Sequence, residues 1–126
     1  MNRRKSGSEA EEAAARHLRA GGYKILERNF RTPLGEIDII ALDGRVVCFV
    51  EVRSRSTGEY GGALEALTGR KMRRLSMAAM AYIRARRLEN VQVRFDFAAV
   101  ETDGRAGTQV KLVKNAFCPR EYPWRG

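Results

Sequence analysis

Cysteine and histidine are scarce in this chain. There are two cysteines, Cys48 and Cys118, and one histidine, His17. The cysteines lie far apart, and neither belongs to a CxxC pair nor has a histidine at ligand spacing, so neither a zinc site nor a disulfide scaffold is expected. Cys48 lies within an apolar run and is predicted to be a buried free thiol.

Long apolar runs, internal repeats and low-complexity segments are also absent. No apolar stretch approaches the roughly 18 residues that indicate a membrane span. The basic start, Met1 to Lys5, runs into Ser, Glu and Ala rather than an apolar signal core. We therefore expect a cytoplasmic protein with no membrane partner. The 126 residues fit one domain over 1–126, with about 1–7 and 118–126 as flexible tails.

Acidic residues are outnumbered by basic ones. The chain has 24 Lys and Arg against 15 Asp and Glu, which gives a net charge of +9. Such a field attracts polyanions, and DNA is the expected partner, with RNA as the alternative. Arginine predominates over lysine, which favours phosphate because the guanidinium fork can bind it through two hydrogen bonds. A generally soluble basic protein, or one that binds acidic lipid, would have the same charge.

Periodicity and turn residues predict an α/β domain. A helix is expected over 8–20, with Ser8 as its N-cap and Gly21-Gly22 at its end. A second, basic helix is expected over about 70–87. The predicted strands cover 23–30, 36–42, 45–53, 91–100 and 108–114, and 54–62 reads as a loop. This order predicts a mixed central sheet with helices packed against it.

The second and third strands read as a β-hairpin that carries a cluster of acids. With Asp43-Gly44 as a two-residue turn, Asp38 pairs with Phe49, and Glu36 lies opposite Glu51. Alternation then gives one apolar face: Ile37, Ile39, Ala41, Val46, Cys48, Val50 and Val52. The other face carries Glu36, Asp38, Glu51 and Arg53.

These carboxylates suggest a metal site. Converging acids on a largely apolar sheet repel one another, so a cation is expected among them, and oxygen ligands suit Mg²⁺ or Mn²⁺. The alternative is a solvated strand edge, where the acids pair with Arg53 or Arg31. Glu11 shares a helical face with Ala14 and Leu18, which places a carboxylate toward the core. Its alternative role is that of a first-turn acid favoured by the helix dipole.

Several segments resemble the YraN-like family of bacterial proteins. They are Gly35 to Ala41 (GEIDIIA), Phe49 to Arg55 (FVEVRSR), Gly7 to Glu11, Asn29-Phe30-Arg31, Lys71 and Arg94-Phe95-Asp96. That family resembles the PD-(D/E)xK nucleases, including archaeal Holliday-junction resolvases, which implies a single restriction-endonuclease-like domain. The resemblance implies that Asp38 and Glu51 hold the metal and that Glu11 completes the site, and we add Glu36 as a further candidate ligand.

One residue departs from the nuclease pattern. Arg53 stands where those nucleases have lysine, and an arginine side chain keeps its proton, so Arg53 cannot act as a general base. It could still bind the scissile phosphate and stabilise charge in the transition state. The candidate catalytic residues are therefore Asp38, Glu51, Arg53 and Glu11.

Three functions follow from this pattern. The first is a Mg²⁺- or Mn²⁺-dependent endonuclease that cleaves DNA, with branched DNA as the form the resemblance suggests. The second is a catalytically silent nucleic-acid-binding module of the same fold. The third is a scaffold whose basic helix docks a protein partner. The candidate nucleic-acid-binding residues are Arg53, Arg55, Arg70, Lys71, Arg73 and Arg74. By analogy with the resolvases, a homodimer is expected.

Overall fold

The computed structural model describes residues 3–56, 68–103 and 107–117. Within them lie two helices and five strands, in an order that matches the one expected. They are α1 (Arg3–Ala20), β1 (Lys24–Thr32), β2 (Gly35–Asp43), β3 (Val46–Ser56), α2 (Gly69–Ala85), β4 (Val93–Asp103) and β5 (Gly107–Phe117).

The strands form one open mixed sheet in the order β1-β2-β3-β4-β5. Only the central pair, β3 and β4, is parallel. The other neighbours are antiparallel. Because parallel neighbours need a long crossover, α2 lies between β3 and β4 in the chain and packs on the sheet. The predicted mixed α/β domain is confirmed.

The helices cover opposite faces of the sheet. Small residues of α1, such as Ala14, pack on Ile39, Cys48 and Val50, and let this helix lie close to the strands. On the other face α2 packs its apolar stripe, which includes Ala79, against another set of strand side chains. Both faces of β3 are therefore buried, as its nearly continuous apolar sequence would require.

The hairpin register differs by two residues from the one expected. Asp43 pairs with Val46, and Ile39 pairs with Val50, so the two-residue loop is Gly44-Arg45. Gly44 has φ +64°, which matches a type II′ turn with glycine in the first loop position. A shift of two residues keeps each side chain on its face, so most of the predicted apolar face is correct.

Ile37 is the exception on that face. It packs in the α2 cluster, whereas Ile39, two residues later, packs in the α1 cluster. The change occurs beside Asn29 of β1, which stands between the pairs Arg28–Ile39 and Phe30–Ile37 with φ +55°. This left-handed residue interrupts the regular pleat, and simple alternation fails there.

Several predicted boundaries also differ. Helix α1 begins at Arg3 rather than residue 8, so 3–7 belong to the helix and not to the predicted tail. Strand β3 continues to Ser56, three residues into the predicted loop, because β4 pairs with it to that point. The rest of that loop and the predicted tail at 118–126 lie outside the described residues.

A buried charge network holds the end of the sheet near the hairpin turn. Asp96 is fully buried and accepts hydrogen bonds from Arg94 Nε at 2.8 Å and from the Asn115 backbone N–H at 2.9 Å. Arg94 also donates to Asp43 at 3.0 Å and to Tyr23 at 2.6 Å. Every charge here has a partner, so Arg94 and Asp96 of the family-like segment have a structural role in this end of the sheet.

Candidate functional site

The site lies where β2 and β3 separate. Regular pairing ends at Ile39 and Val50, at the end of the hairpin away from its turn. Beyond that pair the Asp38 carboxylate accepts a hydrogen bond from the Val52 backbone N–H at 2.8 Å. The side chain thus takes the place of a strand carbonyl, which holds the carboxylate within the sheet rather than above it.

Asp38 and Glu51 form an acidic pair in which Glu51 is buried and Asp38 is partly buried. Extending the observed register by one residue places them directly opposite each other, and Glu51 is only 8% exposed. Burial raises the pKa of Asp38 well above its usual range, and the charge of Glu51 and a hydrogen bond shared with it raise it further. The structure therefore brings together the two acids that the sequence placed at its metal site.

Arg53 stands beside this pair. Its guanidinium Nη2 lies 3.0 Å from Glu51 Oε2, and the side chain is about one-third exposed. Its Nε is buried and makes no hydrogen bond to the described part of the protein. One edge of the guanidinium is thus bound to Glu51, while a second donor has no protein acceptor among the described residues.

Glu11 approaches the site from α1. Burial raises its pKa, the negative charge of Asp38 adds to the rise, and a hydrogen bond from Asn29 opposes it. Arg28 lies 3.9 Å from Glu11 and makes a shorter ion pair, at 3.2 Å, with Glu12. The charge of Asp38 therefore raises the pKa of Glu11 across the gap between α1 and the sheet, as expected for an acid on the core side of its helix.

Glu36 has a different environment. Its side chain is about half exposed and pairs with Arg31, whose Nε donates at 3.1 Å. It lines the same cleft as Asp38, but at the rim. The ion pair with Arg31 is the alternative that the sequence left open for this residue, and its role as a metal ligand stays a prediction.

Helix α2, on the sheet face opposite α1, supplies basic residues to the site. Lys71 and Arg74 line the cleft, whereas Arg70 and Arg73 are exposed on α2 outside it. Arg55 belongs to β3, but its side chain lies outside the described residues. The six predicted nucleic-acid-binding residues are thus divided: three, including Arg53, face the cleft.

Together these residues line a cleft of about 490 Å³ between the forked strands and the two helices. Its acids are Glu11, Glu36, Asp38 and Glu51, and its bases are Arg31, Arg53, Lys71 and Arg74. Among the described residues no three His, Cys, Asp or Glu side chains converge closely enough to form a metal cluster. Two carboxylates are sufficient for Mg²⁺, which usually keeps several waters and takes phosphate oxygens as further ligands.

Two features of the site were not apparent from the sequence. The bond from Val52 N–H to Asp38 depends on a strand fork, and a hairpin pattern predicts continuous pairing. Asn29 touches Glu11 through its side chain and has φ +55°. Its type is a weak signal for that conformation, since asparagine adopts it more readily than most residues.

The remaining polar candidates lie away from this chemistry. His17 is exposed on α1. Cys48 is a buried free cysteine, as predicted, and burial raises the pKa of its thiol to about 12. A thiol held neutral in this way is a poor metal ligand and a poor nucleophile.

The fold and the cleft define a small α/β protein with a paired-carboxylate site rimmed by arginine and lysine. The chain belongs to the Uncharacterised protein family UPF0102, whose model matches residues 10–100. This confirms the YraN-like resemblance. No helix in the described ranges is both long enough and apolar enough to span a membrane.

Relatives match over most of their length. A UPF0102 protein of Moorella thermoacetica is 45% identical over 118 residues, which cover 93% of this chain and 98% of that protein. One from Dechloromonas aromatica is 43% identical over 111 residues, or 88% and 87% of the two chains. One from Caldicellulosiruptor saccharolyticus is 40% identical over 118 residues and is covered completely.

Proposed function

We propose that this protein is a metal-dependent endonuclease that hydrolyses phosphodiester bonds in DNA. The observation that carries the proposal is the acidic pair of Asp38 and Glu51 in an open cleft whose other side is basic. Arg53 pairs with Glu51, but no described base pairs with Asp38, so the two carboxylates still repel each other in a poorly hydrated place. A divalent ion would relieve this repulsion, and the same ion would attract a phosphate group into an otherwise acidic pocket.

Asp38 and Glu51 would hold the ion, with Glu11 and Glu36 as candidates for further or water-mediated contacts. Mg²⁺ or Mn²⁺ bound there would polarise the phosphate and promote ionisation of an attacking water. The raised pKa of Asp38 supports this assignment, because it marks a site where negative charge is poorly compensated by the protein itself.

Arg53 would bind a non-bridging oxygen of the scissile phosphate. Its position beside Glu51 places the guanidinium next to the two carboxylates, and the exposed third of the side chain offers N–H donors to the cleft. Such a donor stabilises the charge that grows on the phosphate during attack. Because arginine keeps its proton, Arg53 would not activate the water.

The sheet is consistent with a restriction-endonuclease-like fold, to which we assign the chain on the strength of its motifs. The mixed sheet with one helix on each face supports this assignment. The resemblance also favours branched DNA as substrate and a homodimer as the active form, and the sequence near residue 1 favours the cytoplasm. RNA is the alternative substrate, because the cleft chemistry described so far recognises phosphate and not the sugar.

A catalytically silent nucleic-acid-binding module is the second candidate. The observation that favours it is Arg53 itself, which stands in place of the nucleases' lysine and is already bound to Glu51 at 3.0 Å. Such a module would keep the carboxylate pair and the basic cleft but would not hydrolyse DNA.

A cleavage assay of three proteins separates the two candidates. The parent, Arg53→Lys and Arg53→Ala are incubated with labelled single-stranded, duplex, flap and four-way DNA, each with Mg²⁺ and with Mn²⁺. We expect the parent to cleave at least one substrate, Arg53→Lys to keep or raise that activity, and Arg53→Ala to lower kcat far more than DNA affinity.

Other outcomes assign the function differently. Cleavage by Arg53→Lys but not by the parent would favour the silent module, with a catalytic apparatus that one substitution restores. If neither protein cleaves any substrate while both bind DNA and metal, the endonuclease proposal is wrong and the metal site is structural.

A further inference from the structure

We propose that Lys71 and Arg74 of α2 bind a second phosphate of the substrate, next to the phosphate held at Asp38 and Glu51. The substrate is then a nucleic-acid strand with consecutive phosphodiesters, rather than a mononucleotide or a phosphomonoester. This inference deepens the proposed function and rests on it for the group that occupies the carboxylate pair.

The distribution of ion pairs within the cleft is the first argument. Arg53 is paired with Glu51 at 3.0 Å, and Arg31 is paired with Glu36 at 3.1 Å, so the strands neutralise part of their own charge. Lys71 and Arg74 form no ion pair with any described residue. They therefore supply the cleft with positive charge that no described acid neutralises, and they supply it from α2 rather than from the strands.

The rigidity of that wall is the second argument. The Thr68 side chain caps α2 by accepting a hydrogen bond from the Lys71 backbone N–H at 3.2 Å. Three residues later, α2 lies directly against the first residue of β2. A Cβ built on Gly35 would lie 2.4 Å from the Arg74 carbonyl oxygen, which leaves no room for a side chain there. Glycine at position 35 thus lets the helix that carries the two bases approach the strand that carries Glu36 and Asp38.

The size and chemistry of the cleft are the third argument. At about 490 Å³ the cleft exceeds what two carboxylates and one ion need, and it falls in the range of sites that enclose a ligand. A ligand that contacts a metal at the carboxylate pair and also contacts Lys71 and Arg74 on α2 must carry negative charge at two places. A polynucleotide backbone satisfies this requirement through successive phosphates.

The exposed bases of α2 give a contrast within the same helix. Arg70 and Arg73 are exposed outside the cleft, so they can add to long-range attraction without touching the phosphate beside the metal. If contacts in the cleft hold the strand, removing Lys71 and Arg74 weakens binding more than removing bases outside the cleft does. If net charge alone holds it, the two removals weaken binding equally.

The test compares two double variants with the same change in charge. Lys71→Ala/Arg74→Ala removes the cleft pair. Lys24→Ala/Arg45→Ala removes one lysine and one arginine that are exposed near the hairpin turn, at the other end of the sheet. Both are first checked for a urea midpoint equal to that of the parent. Binding of a labelled oligothymidylate strand is then followed by fluorescence anisotropy over a salt series, with Ca²⁺ in place of Mg²⁺ so that the carboxylate pair can hold a cation.

We expect loss of the cleft pair to weaken binding of the strand and loss of the control pair to change it little. Loss of Lys71 and Arg74 should weaken binding about tenfold or more and reduce the slope of log affinity against log salt by about 1 to 2. Equal losses in the two double variants, or no loss in the cleft variant, would overturn the proposal.

A second substrate tests which phosphate is bound. Bis(p-nitrophenyl) phosphate has one phosphodiester and no neighbour, so Lys71→Ala/Arg74→Ala should lower kcat/KM for its metal-dependent hydrolysis far less than kcat/KM for the strand, whose loss should appear mainly as a higher KM. An equal fall in kcat/KM for both substrates would place the two bases at the reacting phosphate and overturn the proposal. If the parent binds the strand but hydrolyses neither of these substrates nor any DNA in the cleavage assay above, the proposed function fails, and the binding comparison alone decides this inference.

Discussion

At the scale of single residues, the chemistry of the site depends on one aspartate held in an unfavourable place. Asp38 lies within the sheet because Val52 N–H binds it, close to Glu51 and within reach of the charge of Glu11. The folded protein binds a proton at Asp38 more tightly than the unfolded chain does. Without a cation, ionised Asp38 therefore destabilises the fold.

Asp38→Asn should stabilise the protein when no metal is present. The pKa of Asp38 is raised from 3.8 to about 8, so the parent loses stability as the pH rises through this interval, and the asparagine variant does not. Asparagine can also accept the Val52 hydrogen bond. In EDTA at pH 9 we expect a gain of about 1–3 kcal/mol in the free energy of unfolding, measured by urea denaturation, and little gain at pH 4.

Asp43 provides a control of opposite sign on the same strand. A hydrogen bond from Arg94 is the main reason that its pKa is lowered, so its charge stabilises the fold above its ordinary pKa. Asp43→Asn should therefore lower the urea midpoint at pH 9. If Asp38→Asn is also destabilising at pH 9, the assignment of Asp38 as a poorly compensated acid is wrong.

At the scale of elements, the cleft depends on how closely α2 approaches the start of β2. The contact at Gly35 is between backbone atoms of Arg74 and the space that a side chain would occupy, so neither partner can move aside by a change of rotamer. The position of the helix is thus coupled to one glycine in the strand.

Gly35→Ala should destabilise the protein by about 1–3 kcal/mol, because the added methyl group forces α2 away from β2. Gly69→Ala is the matched control, since a Cβ at that position meets nothing within 4 Å and the residue begins α2. Urea denaturation of the two variants measures the difference. Equal midpoints would show that the two elements are not in tight contact at Gly35.

Sequence patterns predicted the elements well and their fine geometry less well. Alternation in the hairpin assigned Ile39, Cys48 and Val50 to one face correctly, because alternation is insensitive to a shift of two residues. The same insensitivity explains the wrong turn: Asp43-Gly44 and Gly44-Arg45 satisfy the pattern equally well. The pairing of Asp43 with Val46, with a positive φ at Gly44 but not at Asp43, selects the second.

The wrong face for Ile37 has a different cause. Its position depends on the left-handed backbone at Asn29 in the neighbouring strand, which no local pattern in β2 reports. The acids of the site could be predicted in part: alternation brought Asp38 and Glu51 near each other, although with Asp38 paired to Phe49, and the resemblance added Glu11, which helical spacing had placed only on the core side of α1. Their distances, and the pairing of Arg53 with Glu51 and of Arg31 with Glu36, required the structure.

At the scale of the whole molecule, the two ends of the sheet have different roles. Near the hairpin turn, Arg94 and Asp96 form a buried network in which each charge has a partner. At the fork, Asp38 is partly buried against other acids, and the cleft stays open to ligands. The chain thus has a fully paired charge network at one end of its sheet and, at the other, an acidic pair in which Asp38 has no basic partner among the described residues; this second end is where we propose that a metal ion and a phosphate bind.

Calorimetric titration with Mn²⁺ tests the shared carboxylate site most directly. The parent is compared with Asp38→Asn, with Glu51→Gln, and with Glu89→Gln, which changes an exposed acid outside the cleft. If Asp38 and Glu51 share one ion, the parent and Glu89→Gln should bind Mn²⁺ at a single site with release of protons, and both cleft variants should lose that site. Binding of Mn²⁺ by Asp38→Asn with the affinity of the parent would contradict the assignment.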